Sequence, residues 1–534
     1  MDKQTYVRTG EGAFDDLIPR VHSFLEKDRL DLTIDGRSVS GFRSPDARSI
    51  WIRDHSDMLR GGRYFGFDLT SAIEHFAETQ SASGRIFDYF TSFPEKLPSE
   101  RENWNKYVRV PVEADVEYRF VKAAYLAWQA TGNDAWIARL LPHLERALEY
   151  VFAHPWYWDA RHGLVKRPYT IDTWDFAYTA GSHNWLQFQV DDRTFWGIMH
   201  GDNSGYAEAC EILARLHSRL ESPDRARYWA QRATSIRVNL NRTCWNGRFY
   251  THFVKLSEVD IPGVDEFAQL SLSNPMAINR GATTHEQAVE ILREYRRRRE
   301  TSAAFAEWFS IDPPFPAGSF GDAKLKPGVY VNGGIMPLVG GELARAAFAH
   351  GFETYGVDIL RRYYDLISRR GETYLWYQPD GRPADVESST SPEAEPTDGW
   401  GSTAMLWALI EGLAGVEDRG CGFDRVRISP RWAAADVEEA EVRVCYPVSG
   451  SSVCYKYRCD AQMLRLHVDR APSQLELHLM LPAEHAIAGA TINGRNAEWN
   501  LQQIEHTHYA NLEADGNDGI ALELRWGERG HDDS

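Results

Sequence analysis

The sequence predicts a mainly α protein, a toroid of helical hairpins followed by a C-terminal antiparallel β-sandwich. Three observations predict it: helix pairs recur between residues 46 and 415, related Trp- and Gly-rich loops accompany them, and from residue 416 the apolar residues alternate with a period of two. We therefore expect a lead-in at 1–45, a helical domain at 46–415 and a β-sandwich domain at 416–534.

Helical hairpins dominate the central part of the chain. Apolar residues at helical spacing predict a helix over 113–131, residues 131–134 predict a turn with a good N-cap, and a second helix is expected over 136–148. The pattern recurs at 204–220 with 223–240, and at 337–350 with 354–369. Irregular spacing and long loops on one side favour a closed toroid with a functional loop face over an open solenoid.

Shorter signals complete the assignment. In the lead-in, an amphipathic helix is expected at about 12–26 and a strand near 32–34. Alternation predicts strands at 442–444, 453–457, 464–468, 475–479 and 522–524. Asn493-Gly494 is a hairpin turn signal. Three related loops lie at 158–164, 245–250 and 377–381, each beside helices.

The composition excludes several classes of function. With 59 Lys and Arg against 77 Asp and Glu, the formal net charge of −18 disfavours nucleic acid or an anionic membrane surface as a partner. No run approaches the roughly 18 apolar residues of a membrane span, the first residues lack an apolar secretory segment, and six Cys fit reduced thiols. We expect a cytoplasmic protein, and the oligomeric state stays open.

Tryptophan is abundant, at 18 of 534 residues. Flat aromatic faces pack against the apolar faces of sugar rings, which favours a carbohydrate ligand. Filling of a helical core by large rings explains many of the same residues.

Acidic residues that stand among aromatic residues are the candidate site. Trp51, Arg53 and Asp54 combine a flat ring, a donor and an acceptor suited to neighbouring sugar hydroxyls, although a salt-bridged helix start explains them too. Glu372 and Trp376 lie in a later loop that could supply a second carboxylate.

A second acidic segment runs from Asp172 through Trp174 to Asp175. Burial raises the pKa of a carboxyl group, as a general acid near neutral pH requires. Since Asp172 also fits a helix N-cap, we assign the acid to Asp175.

Three further segments carry weaker signals. The oxygen-rich stretch 191–202 leaves a calcium site open, although Asp202 fits a helix N-cap better. Asn332 precedes two glycines, where the backbone can approach a ligand. Asp398 lies just before Gly399-Trp400, after Glu393 and Glu395.

These segments, in this order, resemble the (α/α)6-barrel glycoside hydrolases. The group includes glucosidase I-like and glucosylglycerate hydrolase-like enzymes, the amylo-1,6-glucosidase part of glycogen-debranching enzymes, and the α-L-rhamnosidases. The resemblance rests on Trp51-Ile52-Arg53-Asp54, Trp174-Asp175, Tyr330-Val331-Asn332-Gly333-Gly334, Tyr374-x-x-Tyr377-x-Pro379-Asp380-x-Gly381 and Asp398-Gly399-Trp400-Gly401.

The resemblance implies an exo-acting hydrolase that inverts the anomeric centre, without metal or organic cofactor, on a small glycoside or an oligosaccharide end. Asp175 falls at the general acid of the group. The usual base is a Glu two residues before the second Tyr, where this chain has Leu375. Glu372 is our substitute, with Asp398 and Glu395 behind it. Trp51, Trp174 and Trp376 would form walls, while Arg53, Asp54, Asp172, Asn332 and Asp398 would bind substrate.

Two other classes of function stay open. A polysaccharide lyase or sugar epimerase would use His or Tyr as base, and His55, His183 and His200 are available. The departure at Leu375 also fits a sugar-binding protein that has lost its catalytic base.

Overall fold

The structure is a computed structural model that describes residues 4–45, 47–92, 107–108, 110, 112–173, 178, 190–321, 323–385, 387–388, 396–469, 473–482, 486–515 and 519–527. Its α-helices are α1 (Gly12–Asp15), α2 (Leu17–Asp28), α3 (Ile52–Gly62), α4 (Ser71–Glu78), α5 (Val116–Thr131), α6 (Asp134–Ala153), α7 (His200–Arg219), α8 (Pro223–Cys244), α9 (Ser273–Asn279), α10 (His285–Thr301), α11 (Pro337–Ala349), α12 (Glu353–Arg370) and α13 (Trp400–Trp407). A π-helix over Ala408–Leu413 continues α13.

The strands, in chain order, are β1 (Tyr6–Arg8), β2 (Arg29–Ile34), β3 (Arg37–Phe42), β4 (Ser49–Trp51), β5 (Tyr89–Thr91), β6 (Tyr107–Val108), β7 (Trp158–Asp159), β8 (Leu164–Val165), β9 (Arg167–Pro168), β10 (Trp196–Met199), β11 (Phe253–Lys255), β12 (Leu270–Ser271), β13 (Ile311–Asp312), β14 (Val416–Asp418), β15 (Arg425–Ile428), β16 (Glu439–Tyr446), β17 (Ser451–Cys459), β18 (Met463–Val468), β19 (Gln474–Met480), β20 (Ala486–Ile492), β21 (Arg495–Asn496), β22 (Asn500–Ile504), β23 (Thr507–Asp515) and β24 (Ile520–Gly527).

Six helices contact one another in a closed cycle, which we call the central helices. Helix α3 contacts α5, and the contacts continue through α7, α9, α11 and α13 back to α3. Helices α4, α6, α8, α10, α12 and α2 pack outside this cycle. The predicted helix pairs are confirmed, and Asn133 caps α6 by accepting a hydrogen bond from the Trp136 N–H at 2.9 Å.

The C-terminal strands form two sheets. One has the order β1-β16-β17-β18-β24-β20-β21, and the other has the order β14-β15-β19-β23-β22. Apolar side chains of both sheets belong to one core cluster, as a period of two predicts. The antiparallel prediction is wrong for one pair, because β15 and β19 run parallel. The predicted turn is present, with positive φ at Asn493 and Gly494 between β20 and β21.

The first 45 residues contribute to both parts of the molecule. Strand β1 pairs with β16 at the edge of the larger sheet, while α2 packs against α13. The domain bounds 1–45, 46–415 and 416–534 stay a prediction. Within the described ranges, no helix has the length and apolar character needed to cross a bilayer.

Candidate active site at the amino ends of the central helices

The central helices begin at the same end of the ring. Hydrogen bonds or close approaches join their first residues: Arg53 of α3 with Asp115 before α5, Gly201 of α7 with Ser273 of α9, and Gly401 of α13 with Pro337 of α11. Trp400, the first residue of α13, also donates to Asp57 in the middle of α3. Helix amino ends carry partial positive charge and stabilise nearby carboxylates. We call this end the mouth.

Arg53 lies in a buried ion-pair network. Its Nε donates to Asp115 Oδ2 at 2.9 Å and its Nη2 to Asp115 Oδ1 at 3.1 Å, and it also pairs with Glu113. Burial alone would raise the pKa of Asp115, but Arg53 and Arg119 outweigh it and hold that pKa well below its usual range. Arg53 is thus fixed in place. Its ion pairs have a structural role at the start of α3, as the salt-bridge interpretation predicts.

Asp54 lies in a cluster with two other carboxyl groups, those of Asp28 and Asp398, and with the guanidinium of Arg43. Asp54 pairs with Arg43, whose Nη1 is 4.0 Å from Asp398 Oδ2. Asp398 accepts from the Trp400 N–H at 2.7 Å and Asp28 from the Gly399 N–H at 2.8 Å. Burial, with neighbouring Asp54, raises the pKa of Asp398 to about 7, and burial beside Asp398 raises the pKa of Asp28.

Glu372 lies beside this cluster. It pairs with Lys27, and its Oε1 accepts from the Thr373 N–H at 3.0 Å. Its side chain is 20% exposed, whereas that of Asp398 is fully buried. Glu372 is therefore paired with a lysine and keeps partial access to solvent.

Asp172 is buried on another side of the mouth, near the start of α7. Its backbone N–H donates to His252 Nε2 at 3.3 Å, and its Oδ2 has no hydrogen-bond partner among the described residues. Asp202 is not the N-cap of α7, because the helix begins at His200 and Asp202 lies in its first turn. Its carboxylate accepts from Arg167 Nη1 at 3.3 Å.

Burial, together with Asp115 and Asp172, raises the pKa of Asp202 to about 6, and Arg167 offsets part of this rise. Asp202 therefore belongs to a buried ion-pair network with Arg167. Among the described residues, no group of three or more His, Cys, Asp or Glu is placed to hold a metal ion.

The structure describes two of the three tryptophans that we predict as walls of the site, Trp51 and Trp376. Trp51 is half-buried and stacks on Tyr89, with ring centroids 4.2 Å apart. Trp376 is buried, and its ring centroid is 6.5 Å from that of Tyr330. Trp174, Asp175, His183, Glu393 and Glu395 lie outside the described residues.

The side chain of Asn332 stabilises the loop around Phe315 and Leu325 by hydrogen bonds to its backbone. Its Oδ1 accepts from the Phe315 N–H at 2.7 Å, and its Nδ2 donates to the carbonyls of Phe315 and Leu325 at 3.0 and 3.1 Å. The adjacent glycine explains the loop, because φ at Gly333 is +96°.

Sequence reasoning missed several charged residues of the mouth: Asp28, Arg43, Glu113, Asp115, Arg119 and Arg167. Glu113-Ala114-Asp115 before a helix was an available signal, since acids favour helix starts. Their partners lie up to 371 residues away in the chain, as for Asp28 and Gly399, so that pairing was not visible in the sequence.

Comparison with known proteins confirms the resemblance at the level of fold. An α-L-rhamnosidase from Dictyoglumus thermophilum has a TM-score of 0.59 at 11% identity, over 98% of this chain and 50% of that chain. An α-L-rhamnosidase from Streptomyces avermitilis complexed with L-rhamnose gives 0.59 at 12%, over 97% and 42%. This chain thus spans about half the length of these rhamnosidases.

A mannosylglycerate hydrolase from Thermus thermophilus in complex with glucose has a TM-score of 0.50 at 15% identity, over 74% of this chain and 99% of that chain. No protein-family model and no curated protein matches the sequence. At these identities the likeness concerns the fold, and chemistry has to be argued from the mouth itself.

Proposed function

We propose that this protein is an exo-acting, inverting glycoside hydrolase for a small glycoside or an oligosaccharide end, and that the central helices form an (α/α)6 toroid with its active site at the mouth. One observation carries the proposal. Asp172 and Asp398, from loops 226 residues apart, each keep a buried carboxyl oxygen without a hydrogen-bond partner in the described part of the chain. Sugar hydroxyls are donors that such oxygens need.

Asp175 is the proposed general acid. It follows Asp172 by three residues, and three residues span at most about 10 Å. Asp172, three residues before it in the sequence, is buried at the mouth. Its protonated carboxyl would donate to the leaving oxygen of the glycosidic bond.

Glu372 is the proposed general base. A base has to be ionised and reached by water, and the Lys27 ion pair with partial exposure supports both. Asp398 suits this task less, because its raised pKa favours the protonated form near neutral pH and it is fully buried. The two carboxyls of an inverting pair stand about 6.5–9.5 Å apart, with the attacking water between them. This single displacement needs no metal or organic cofactor.

The proposed substrate carries a neutral sugar unit. Carboxylates of the mouth outnumber its Arg and Lys side chains, and the cations present are paired with them. An acidic substrate would have to compete with these carboxylates for the Arg side chains that the structure describes at the mouth. Trp51, Trp174 and Trp376 would form the walls, and Arg53, Asp54, Asp172 and Asp398 would orient hydroxyls, while Asn332 would shape its loop.

Histidine-based alternatives receive less support. Burial lowers the pKa of His55 and of His200 to about 4, which makes each a weak base for a lyase or an epimerase. His55 Nδ1 is also occupied by the Phe42 N–H at 3.3 Å.

A panel of aryl glycosides tests the proposal, with the anomer of the first product followed by NMR. We expect hydrolysis with inversion, and a loss of about 10²–10⁴ in kcat for Asp175→Asn and Glu372→Gln. Only Asp175→Asn should regain activity on substrates with acidic leaving groups, since these need no protonation. Asp192→Asn, a change at an exposed residue in the loop before β10, is the control.

The outcomes separate the alternatives. Retention of configuration would contradict the proposed mechanism. Full activity of Glu372→Gln would reassign the base, with Glu395→Gln and Asp398→Asn as the next variants. Sugar binding by calorimetry without turnover would identify a binding protein instead.

A further inference from the structure

A cavity inside the ring extends from Asp57 and Arg119 of the network at the mouth to the carboxyl ends of the central helices. It has a volume of about 250 Å³, and side chains from all six central helices line it, together with residues 417–419 at β14. Its lining includes Asn279 and Trp407, the last residues of α9 and α13. One molecule of liquid water takes about 30 Å³, so this basal cavity has room for a small molecule.

The charge of the basal cavity is opposite to that of the whole protein. Eight Arg and Lys side chains line it against six Asp and Glu, whereas the chain carries a formal net charge of −18. The mouth has an excess of acids. A local excess of buried cations attracts an anion, because the surrounding protein screens charge less than water does.

Three arginines of the lining carry buried N–H groups without an acceptor among the described residues. These are Nε and Nη2 of Arg60, Nε of Arg63 and Nε of Arg345. Arg60, Arg63 and Arg345 also form ion pairs with Glu342, Glu411 and Glu417, so one side of each guanidinium is fixed. Arg60 Nη2 lies 3.9 Å from Asp57 Oδ1 and Arg345 Nε lies 3.9 Å from Glu411 Oε2, which is beyond hydrogen-bond distance. Buried donors without partners are unfavourable, and oxygen atoms of a bound ligand would satisfy them.

An aromatic ring holds two of these arginines in place. The guanidinium carbons of Arg60 and Arg345 lie 5.3 and 5.4 Å from the ring centroid of Trp407. Cation–π contacts of this kind restrict the side chains before a ligand arrives. The donors are therefore preorganised.

We propose that the basal cavity binds a small anion through a phosphate group. The planar guanidinium presents N–H donors in a geometry that matches phosphate oxygens, and several arginines converge here. Inorganic phosphate and a phosphate monoester both supply this group, and the cavity volume limits the ester to a single small unit.

Thermal unfolding of the full-length protein tests the proposal. We expect inorganic phosphate or glucose 6-phosphate to raise the unfolding midpoint in a saturable way, and sodium chloride at equal ionic strength to leave it unchanged. The probe with the larger shift identifies the source of the phosphate. Equal midpoints in chloride and in both phosphate probes would overturn the proposal.

A matched pair of double variants locates the site. The double variant Lys122→Gln with Arg419→Gln removes two partly exposed cations of the lining. Six Arg side chains then face six Asp and Glu side chains, and the apparent phosphate affinity should weaken at least tenfold. Arg425→Gln with Arg465→Gln removes the same charge from the C-terminal sheets and should leave the affinity unchanged. Equal weakening by both pairs would show a general charge effect and overturn the site.

Discussion

Arg53 shows how a single side chain joins separate parts of the mouth. It is nearly buried, and its guanidinium is shared between two acids that lie 60 and 62 residues away in the chain. Arg119 extends the network from Asp115 to Asp57. Such a buried network stabilises only when every charge has its partner, because removal of one partner leaves an uncompensated ion.

We expect Arg53→Gln to lower the free energy of unfolding by about 3–5 kcal/mol, because two buried carboxylates lose a partner. Denaturant unfolding followed by circular dichroism measures this. Arg37→Gln, which breaks an exposed pair with Glu78, is the control and should change little. Equal effects of the two changes would contradict the buried network.

Asp398 predicts a pH dependence of stability. The folded protein holds its proton up to about pH 7, while an unfolded Asp releases it near pH 4, at about its reference pKa. Between these values the folded state binds more protons, so the free energy of unfolding falls as pH rises. Asp398→Asn keeps the acceptor for the Trp400 N–H but cannot ionise.

The free energy of unfolding of Asp398→Asn should therefore fall less between pH 4 and pH 7 than that of the wild type. Urea unfolding at several pH values measures the two slopes, and exposed Asp192→Asn serves as the control. Identical slopes for the wild type and Asp398→Asn would show that Asp398 is ionised throughout.

The sequence shows which acidic residues stand near aromatic residues and helix starts. It does not show which charged groups surround them in the folded protein. Asp54 and Asp398 were chosen for hydroxyl binding, yet their electrostatic surroundings include Arg43, which no motif marks. Asn332 was chosen beside its glycines, and its amide proved to bind the backbone of the same loop.

Small residues allow the central helices to approach closely. A Cβ atom added at Gly341 of α11 would come within 2.6 Å of the Ala404 Cβ in α13, and one at Gly61 of α3 within 2.8 Å of the Thr403 Cβ. Side chains at these positions would push the backbones apart. The glycines are therefore part of the ring geometry and not only turns in the chain.

Gly341→Ala should lower the free energy of unfolding by about 1–3 kcal/mol despite the better helix propensity of Ala, because overpacking separates α11 from α13. Gly66→Ala, where nothing lies within 4 Å of the added atom, is the control. Thermal unfolding of both variants provides the comparison. A stabilised Gly341→Ala would show that propensity outweighs the clash.

Helical periodicity predicted the hairpins α5–α6, α7–α8 and α11–α12, yet it did not mark α3 or α13. In these two helices almost every residue is buried, including Arg53, Asp54 and Trp400, so apolar residues do not alternate with exposed ones. The sequence of helix α10 carries a helix-start signal of its own, the capping box of Thr284 and Gln287.

The helices and the C-terminal sheets form one continuous core. Their buried side chains belong to a single cluster, and Tyr455 of β17 donates to the Ala414 carbonyl at 2.7 Å. Strand β1 pairs with β16, and the Tyr6 hydroxyl donates to Glu441, 435 residues away, which local sequence patterns do not reveal. The parts are therefore expected to unfold together.

Glu353, the first residue of α12, tests this coupling because it is buried against the smaller sheet. It accepts hydrogen bonds from Tyr509 and, at 2.8 Å, from Thr507. We expect Glu353→Ala to lower the free energy of unfolding by about 1–3 kcal/mol, since both hydroxyls lose their acceptor. Glu353→Gln keeps an acceptor oxygen and should cost less. Calorimetry should show a single transition for all three proteins, and two separated transitions would contradict a shared core.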